Sequence, residues 1–283
     1  GRRRLLSVRK ANRNKTMRIE TITSVQNPKI KMLLALGEKS RTRRGNALFV
    51  VEGRREILHC AASGFEVKAL FTCPDIISER EEKAIADQCG DDISIFRVPA
   101  AVYDRIALRD STEGIVAEVV MKERPLSGLK LRENPLILVL ESVEKPGNLG
   151  AVLRTADAAD ADAVIICDPL TDLYNPNLIR ASLGAIFTRQ VAAATSGEAI
   201  KWLKDNNIKI YTAQLQDSSW YYDTDMTCGT AIVMGTESTG LSDVWRMAAD
   251  AHVKIPMLGS LDSLNVSVSA AILAFEAVRQ RQG

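Results

Sequence analysis

The apolar residues in the second half of the chain fall in short, mostly unbroken runs. Those at 136–140, 163–167, 208–211 and 231–234 have the length of strands. Continuous rather than alternating apolarity means that both faces are covered, which predicts a mainly parallel sheet. Between the runs the apolar spacing predicts helices near 149–159, 176–186 and 197–205. A short strand at 253–255 then precedes a long terminal helix over about 264–281. The first half alternates as well. Asn27-Pro28 opens a helix carrying Ile30, Leu33, Leu34 and Leu36. A basic Ser-Arg-Thr-Arg-Arg-Gly segment at 40–45 reads as a loop before a strand at 47–51, and Glu52-Gly53 turns into a helix with Ile57 and Leu58. Strands at 67–71, 93–98 and 114–121 and helices at 78–89 and 99–108 complete this half.

The predicted fold class is therefore α/β throughout, in two units: 17–121, a smaller α/β domain, and 135–283, built on the parallel sheet. Residues 122–134 are polar, contain Pro and Gly, and read as the linker. Residues 1–16 form a basic extension with seven Lys/Arg and no acid. It reads equally as a tail suited to nucleic-acid phosphates or as a stretch upstream of a start at Met17. The net charge of +2 hides this asymmetry: with seven of the 37 basic residues in the tail, 30 remain against 35 acidic ones. A body that is not globally basic could meet a polyanion only through local patches.

Composition narrows the chemistry. No apolar run approaches the ~20 residues of a membrane span, and the basic start is followed by no apolar signal core. The five cysteines are scattered without a C-x-x-C pair, which argues against a zinc site and a disulfide framework and for reduced thiols in a cytoplasm. His59 and His252 stand far from any Ser or Cys nucleophile motif and read as core or surface residues. Neither a G-x-G-x-x-G fingerprint nor a G-x-x-x-x-G-K-[ST] loop occurs.

Three polar islands interrupt the second half, at 144–155, 234–242 and 255–269. Islands between buried strands and helices lie at the carboxyl edge of a parallel sheet, where open α/β proteins bind ligands. Gly235 and Gly259 let backbone approach a ligand closely, and Asn148, Arg154, Glu237, Ser263 and Asn265 are the polar groups available to chemistry.

The islands closely resemble the three motifs of the SpoU/TrmH branch of the SPOUT RNA ribose methyltransferases. Asn148-x-Gly150-x-x-x-Arg154 is similar to the first, Gly235-Thr-Glu237-x-x-Gly240-Leu-Ser to the second, and Ile255-Pro-Met through Ser263-Leu-Asn265-Val-Ser-Val to the third. Asn175-Pro-Asn through Arg180-Ala-Ser-Leu-Gly-Ala-Ile-Phe187 resembles a further family segment. Thr23-Ser-x-x-Asn27-Pro-x-Ile-Lys31 and Val51-Glu-Gly53 resemble the family's substrate-binding domain, itself similar to a ribosomal-protein RNA-binding fold. Thr236 and Ser238-Thr239 depart from the usual second motif, beside its key residues rather than at them.

The resemblance implies S-adenosylmethionine-dependent 2'-O-methylation of a ribose in RNA, without metal. Large-subunit ribosomal RNA is expected over transfer RNA, and a non-catalytic RNA-binding or ribosome-assembly protein is the alternative. It implies a C-terminal trefoil knot and a homodimer with the site near its interface. The cofactor is expected on backbone at Gly235, Ile255 and Leu264, beside Met257 and Gly259, with Thr212, Ala213, Gln214 and Leu215 along the adenosine. Arg154 would activate the 2'-hydroxyl. A guanidinium is a poor base at neutral pH, so it either loses a proton transiently or stabilises the developing alkoxide electrostatically. The plainer role for Arg154 is a helix ion pair with Asp157 or Asp160. Asn148, expected on the loop before its helix, would orient Arg154 or cap the helix. Glu237 would position the arginine or a substrate hydroxyl, and Ser263 and Asn265 would flank the site, with helix capping as the alternative for Ser263. Arg41, Arg43, Arg44 and Arg180 are expected to face RNA.

Overall fold

Two sheets, each covered by helices, organise residues 17–108, 113–169 and 172–283, which the computed structural model describes. The basic extension 1–16 lies outside the described residues.

The first unit runs β1 (Arg18–Thr21), α1 (Pro28–Glu38), α2 (Ser40–Asn46), β2 (Leu48–Glu52), α3 (Arg54–Ala62), β3 (Val67–Thr72), α4 (Glu79–Cys89), β4 (Ser94–Arg97), α5 (Ala100–Ile106) and β5 (Ile115–Val120). Its strands are ordered β1-β4-β3-β5-β2, parallel through β1, β4 and β3 and antiparallel at β5. Local signals set the helix starts. Asn27 Oδ1 accepts from the Lys29 N–H at 2.9 Å with Pro28 in the first turn, and Ser78 with Glu81 forms a capping box. The 40–45 segment, expected as a loop, is instead the helix α2, ended by Ala47 in the left-handed region (φ 52°). Among its charged side chains Arg43 is buried and turned inward, bonding to Asp172 and the Leu36 carbonyl.

The second unit runs β6 (Leu136–Glu141), α6 (Pro146–Ala158), β7 (Ala163–Cys167), α7 (Pro176–Ala181), α8 (Ala185–Thr188), β8 (Val191–Ala194), α9 (Ser196–Asp205), β9 (Lys209–Ala213), β10 (Ser219–Trp220), β11 (Thr230–Met234), α10 (Asp243–Ala248), β12 (Ala251–Lys254) and α11 (Val266–Gln282). Among the described residues its strands order as β10-β12-β9-β11-β6-β7-β8, and every pairing is parallel. Strands β6, β7 and β11 are buried at every position, as continuous apolarity predicts. Burying each Val, Leu or Ile there contributes about 1.5–3 kcal/mol. The helix expected over 176–186 breaks in two because Leu183 and Gly184 have positive φ. Strands β1, β8 and β10 and helix α10 have no counterpart in the sequence reading; they are short, and edge strands such as β1 and β10 carry polar residues.

The two units share packed surface. Phe49 and Phe65 from the first pack against Tyr174 and Phe187 from the second. Arg43 Nε donates to Asp172 at 2.7 Å, both side chains being at most one-tenth exposed. Residues 122–134 lie against the second unit: Leu126, Leu129 and Leu131 pack on its core, and Arg132 bonds to Asp160 and Asp162. Among the described residues no helix is long and apolar enough to cross a membrane.

Candidate active site

The carboxyl ends of β9, β11 and β12 open into one cleft of about 390 Å³. Its walls are apolar, from Met234, Leu241, Val253, Ile255, Val266 and Leu273, and its mouth is polar. The expected cofactor residues Gly235, Ile255, Leu264, Ala213, Gln214, Leu215 and Met257 all line it. Thr212 does not. It is fully buried beneath the lining, with its hydroxyl 2.5 Å from Nδ1 of His252, because β9 alternates and Thr212 faces the opposite way from Ala213. Gly259 also lies off the lining, in an exposed stretch between Leu258 and Leu261.

All three islands meet at the rim. Asn265 Nδ2 donates to Glu237 Oε1 at 2.7 Å and to Asn148 Oδ1 at 3.1 Å. The Val266 N–H adds a longer bond to the same carboxylate oxygen, 3.3 Å. The other end of the Asn265 amide accepts from the Ser267 N–H at 2.9 Å, so Asn265 is also the N-cap of α11. Capping therefore belongs to Asn265, and Ser263 lines the cleft. Asn148 sits inside α6 rather than on the preceding loop, because Pro146 starts that helix earlier than expected.

The loop bearing Glu237 is closed on itself. Gly240 N–H donates to Thr236 O at 2.9 Å, and the Thr236 hydroxyl accepts from the Thr239 N–H at 3.1 Å. The residues that depart from the usual second motif thus form the loop's internal bonds. A Cβ at Gly235 would lie 2.3 Å from the carbonyl carbon and oxygen of Gly240, so only glycine fits. Beneath the loop is an anchor that sequence reasoning missed. Buried Glu141, at the end of β6, accepts from Ser242 N–H (2.7 Å), Ser242 Oγ (2.6 Å) and Ser196 Oγ (3.0 Å). An acid ending the otherwise apolar run Leu-Ile-Leu-Val-Leu-Glu was the available signal.

Arg154 is exposed on α6 and does not line the cleft. The acids its plainer role needs are committed elsewhere: Asp157 and Asp160 bind Arg189 at 2.9 and 3.0 Å, and Asp160 also binds Arg132. Among the described residues Arg154 has no ion pair. Arg41, Arg44 and Arg180 are exposed, Arg180 bonding to Asn177. Arg43 is the exception to the expected RNA-facing set, since its guanidinium is spent on Asp172 and the Leu36 carbonyl. Cys60 and Cys167 are buried, and burial pushes the Cys60 thiol up to about 12, leaving it protonated and unreactive at neutral pH. Among the described residues no cluster of His, Cys, Asp and Glu could hold a metal ion.

Residues 135–275 match the SpoU rRNA Methylase family and residues 27–117 match the MRM3-like substrate binding domain. The 23S rRNA (uridine(2479)-2'-O)-methyltransferase of Streptomyces viridochromogenes is 31% identical over 257 residues, 87% of each chain. The 23S rRNA (guanosine-2'-O-)-methyltransferase RlmB of Photobacterium profundum is 39% identical over 67% of this chain and 80% of its own. The crystal structure of an S-adenosylmethionine-bound rRNA methyltransferase from Sinorhizobium meliloti superposes with a TM-score of 0.84 at 28% identity, over 92% of this chain and 98% of that one. With three motifs at one rim and relatives matched across both units, the chain belongs to the SpoU rRNA methylase family.

Proposed function

We propose that this protein transfers a methyl group from S-adenosylmethionine to a ribose 2'-hydroxyl of large-subunit ribosomal RNA. The observation that carries the reading is the joining of Asn148, Glu237 and Asn265 at the rim of the cleft. Relatives named for a uridine and for a guanosine target share the ribose as the reacting group, so the base need not take part.

The cleft fits the cofactor. Its volume lies within the ~300–1,000 Å³ usual for small-molecule sites. Apolar walls suit an adenine ring, and Glu237 with Asp262, and Arg246 with Lys254, bring both signs of charge to a zwitterionic amino-acid moiety. Gly235, Ile255, Met257 and Leu264 would hold it through backbone and side-chain contacts, with Ala213, Gln214 and Leu215 along the adenosine. When bound, S-adenosylmethionine supplies an electrophilic methyl group and departs as a neutral thioether.

The chain's own residues position and charge-stabilise the attacking hydroxyl. Asn265 fixes one oxygen of Glu237 and leaves the other free to orient a ribose hydroxyl. Arg154, uncommitted on α6, stabilises the oxygen electrostatically as its proton passes to solvent water. It reaches the cleft from a second copy of the chain. The support is an exposed apolar stripe on α11, Val268 and Phe275, beside α6, which suits a two-fold seam. We place the reaction in the cytoplasm, where ribosomal RNA resides. The test is transfer of labelled methyl from S-adenosylmethionine into ribosomal and transfer RNA isolated from cells lacking the protein. Label as a 2'-O-methyl nucleotide in the ribosomal pool is expected. Cofactor binding with no label in naked RNA or in ribosomal particles would overturn the reading.

A further inference from the structure

We propose that a second cleft, between the two sheets, binds the phosphodiester backbone of the RNA substrate, so that Lys122 and Arg124 form part of the RNA site as well as lying in the segment that joins the two units. This rests on the RNA-methylation reading above and deepens it.

The cleft measures about 560 Å³ and is lined from both units. Of its charged residues, Arg43 and Asp172 neutralise each other at 2.7 Å. That leaves Arg44, Lys122 and Arg124 against Glu38. None of the three cations is paired with a carboxylate among the described residues. Two of them, Lys122 and Arg124, are nonetheless fixed in position. The Lys122 backbone is held at both ends by one phenol: its N–H donates to Tyr174 Oη at 3.1 Å, and its carbonyl accepts from Tyr174 Oη at 2.5 Å. The Lys122 ammonium lies 4.5 Å over the Phe65 ring. The Arg124 guanidinium lies over Phe65 and Tyr174, 5.3 Å from each centroid, and donates through Nη1 to the Ile186 carbonyl at 2.8 Å. Its Nη2 is buried and has no acceptor among the described residues.

Holding like charges together with a buried donor unmet is unfavourable unless an anion completes the set. Surface cations are ordinarily dispersed or paired, and backing by aromatic rings keeps Lys122 and Arg124 from swinging away into solvent. Arg44 comes from α2, whereas Lys122 and Arg124 follow β5, so the charges line both sides of an open cleft rather than a closed pocket. A polyanion threaded along it matches that arrangement, and in this family's reaction the polyanion is RNA. Guanidinium forks suit phosphate oxygens, and Arg44 presents an exposed one to the cleft.

The test compares the full-length protein with Arg44→Ala, Lys122→Ala and the double variant. Binding of fluorescently labelled large-subunit ribosomal RNA is titrated over a range of potassium chloride concentrations. Each lost phosphate contact lowers the slope of log K against log salt by about 0.7–0.9, so the double variant should lose about 1.4–1.8. S-adenosylhomocysteine affinity and thermal melting should stay at wild-type values, since both side chains are exposed and lie outside the cofactor cleft. The charge-conserving pair Arg44→Lys and Lys122→Arg should keep the slope. An unchanged slope in the double variant, with wild type still binding and methylating RNA, overturns the proposal and leaves the methylation reading standing. Wild-type protein that neither binds nor methylates RNA removes both.

Discussion

Asn265 performs two separable tasks, and substitution can divide them. Its Oδ1 caps α11, and its Nδ2 holds Glu237 and Asn148. Asn265→Ala removes both. Loss of the cap costs about 1 kcal/mol, which in a chain of this size lowers Tm by roughly 2–4 °C. Loss of the donor frees Glu237 Oε1 except for the 3.3 Å bond from Val266. A hydrogen bond to a charged group contributes about 1.5–3 kcal/mol, and rim exposure puts this one at the low end. If that bond forms fully only with the hydroxyl in place, kcat/KM falls about tenfold, 1.4 kcal/mol.

Asn265→Asp is the decisive variant. Aspartate caps a helix as well as asparagine and suits the positive end of the helix dipole. The cap survives, and Tm should stay near that of wild type. The donor, however, becomes a second carboxylate facing Glu237. At about 4 Å two like charges repel by about 1 kcal/mol in water and about 4 kcal/mol at an effective dielectric of 20. Glu237 should swing away, and turnover should fall at least tenfold further than in Asn265→Ala. Thermal melting, S-adenosylhomocysteine titration and initial-rate methyl transfer read the three consequences separately. Wild-type turnover in Asn265→Asp would refute the clamp. An unchanged Tm in Asn265→Ala would refute the cap.

Mixed dimers of Arg154→Ala and Glu237→Ala subunits should recover about a quarter of wild-type activity if one site draws on both subunits, because random pairing leaves one intact site in half the dimers; no recovery would return Arg154 to its own subunit's site. Gly235→Ala places a methyl group 2.3 Å from Gly240 backbone, so the Glu237 loop must shift and cofactor affinity should fall more than tenfold by calorimetry; unchanged affinity would show that the loop is not a wall of the site. Arg43→Ala leaves Asp172 nearly buried and unpaired, which should cost about 3–5 kcal/mol in denaturant unfolding, while a surface-like loss would argue that the two units are weakly coupled. Burial alone would raise the Asp162 pKa, but bonds from Arg132 and from the Leu136 and Arg132 N–H groups outweigh it and hold the carboxyl below its ordinary value. Its contribution is therefore present above the unfolded pKa of about 3.9 and is lost as pH falls through the lower folded value. Asp162→Asn should flatten that acid-side decline, and an unaltered pH–stability curve would remove Asp162 from the account.

The sheet of the second unit was legible because buried parallel strands have a composition of their own. The runs within β6, β7, β9 and β11 were found to within a few residues. Elements with little apolar content were not. The α2 segment is mostly polar or charged and turns one arginine, Arg43, inward, which no periodicity reveals. Residues of the site were legible for a different reason. Gly, Asn, Glu and Ser at strand ends are out of place in a core, and resemblance to a known family supplied their roles. The anchoring role of Glu141 is not legible because its partners Ser196 and Ser242 are far away in sequence. The family resemblance implies Thr212 in the cleft, whereas strand alternation turns it toward His252.

The same contacts make the site conditional on the end of the chain. Glu237 is oriented by an amide that exists in place only when α11 has formed its first turn, because Ser267 N–H and Asn265 Oδ1 define that turn. The Glu237 loop is otherwise tied to the body through Ser242 and Glu141, at its far end from Asn265. Helix α11 is in turn docked by Leu273, Ala274 and Ala277 in the main core, and Arg281 reaches the carbonyls of Met226 and Cys228. A change that frays only the first turn of α11 should therefore disarm the rim while leaving the sheet and the cleft walls intact.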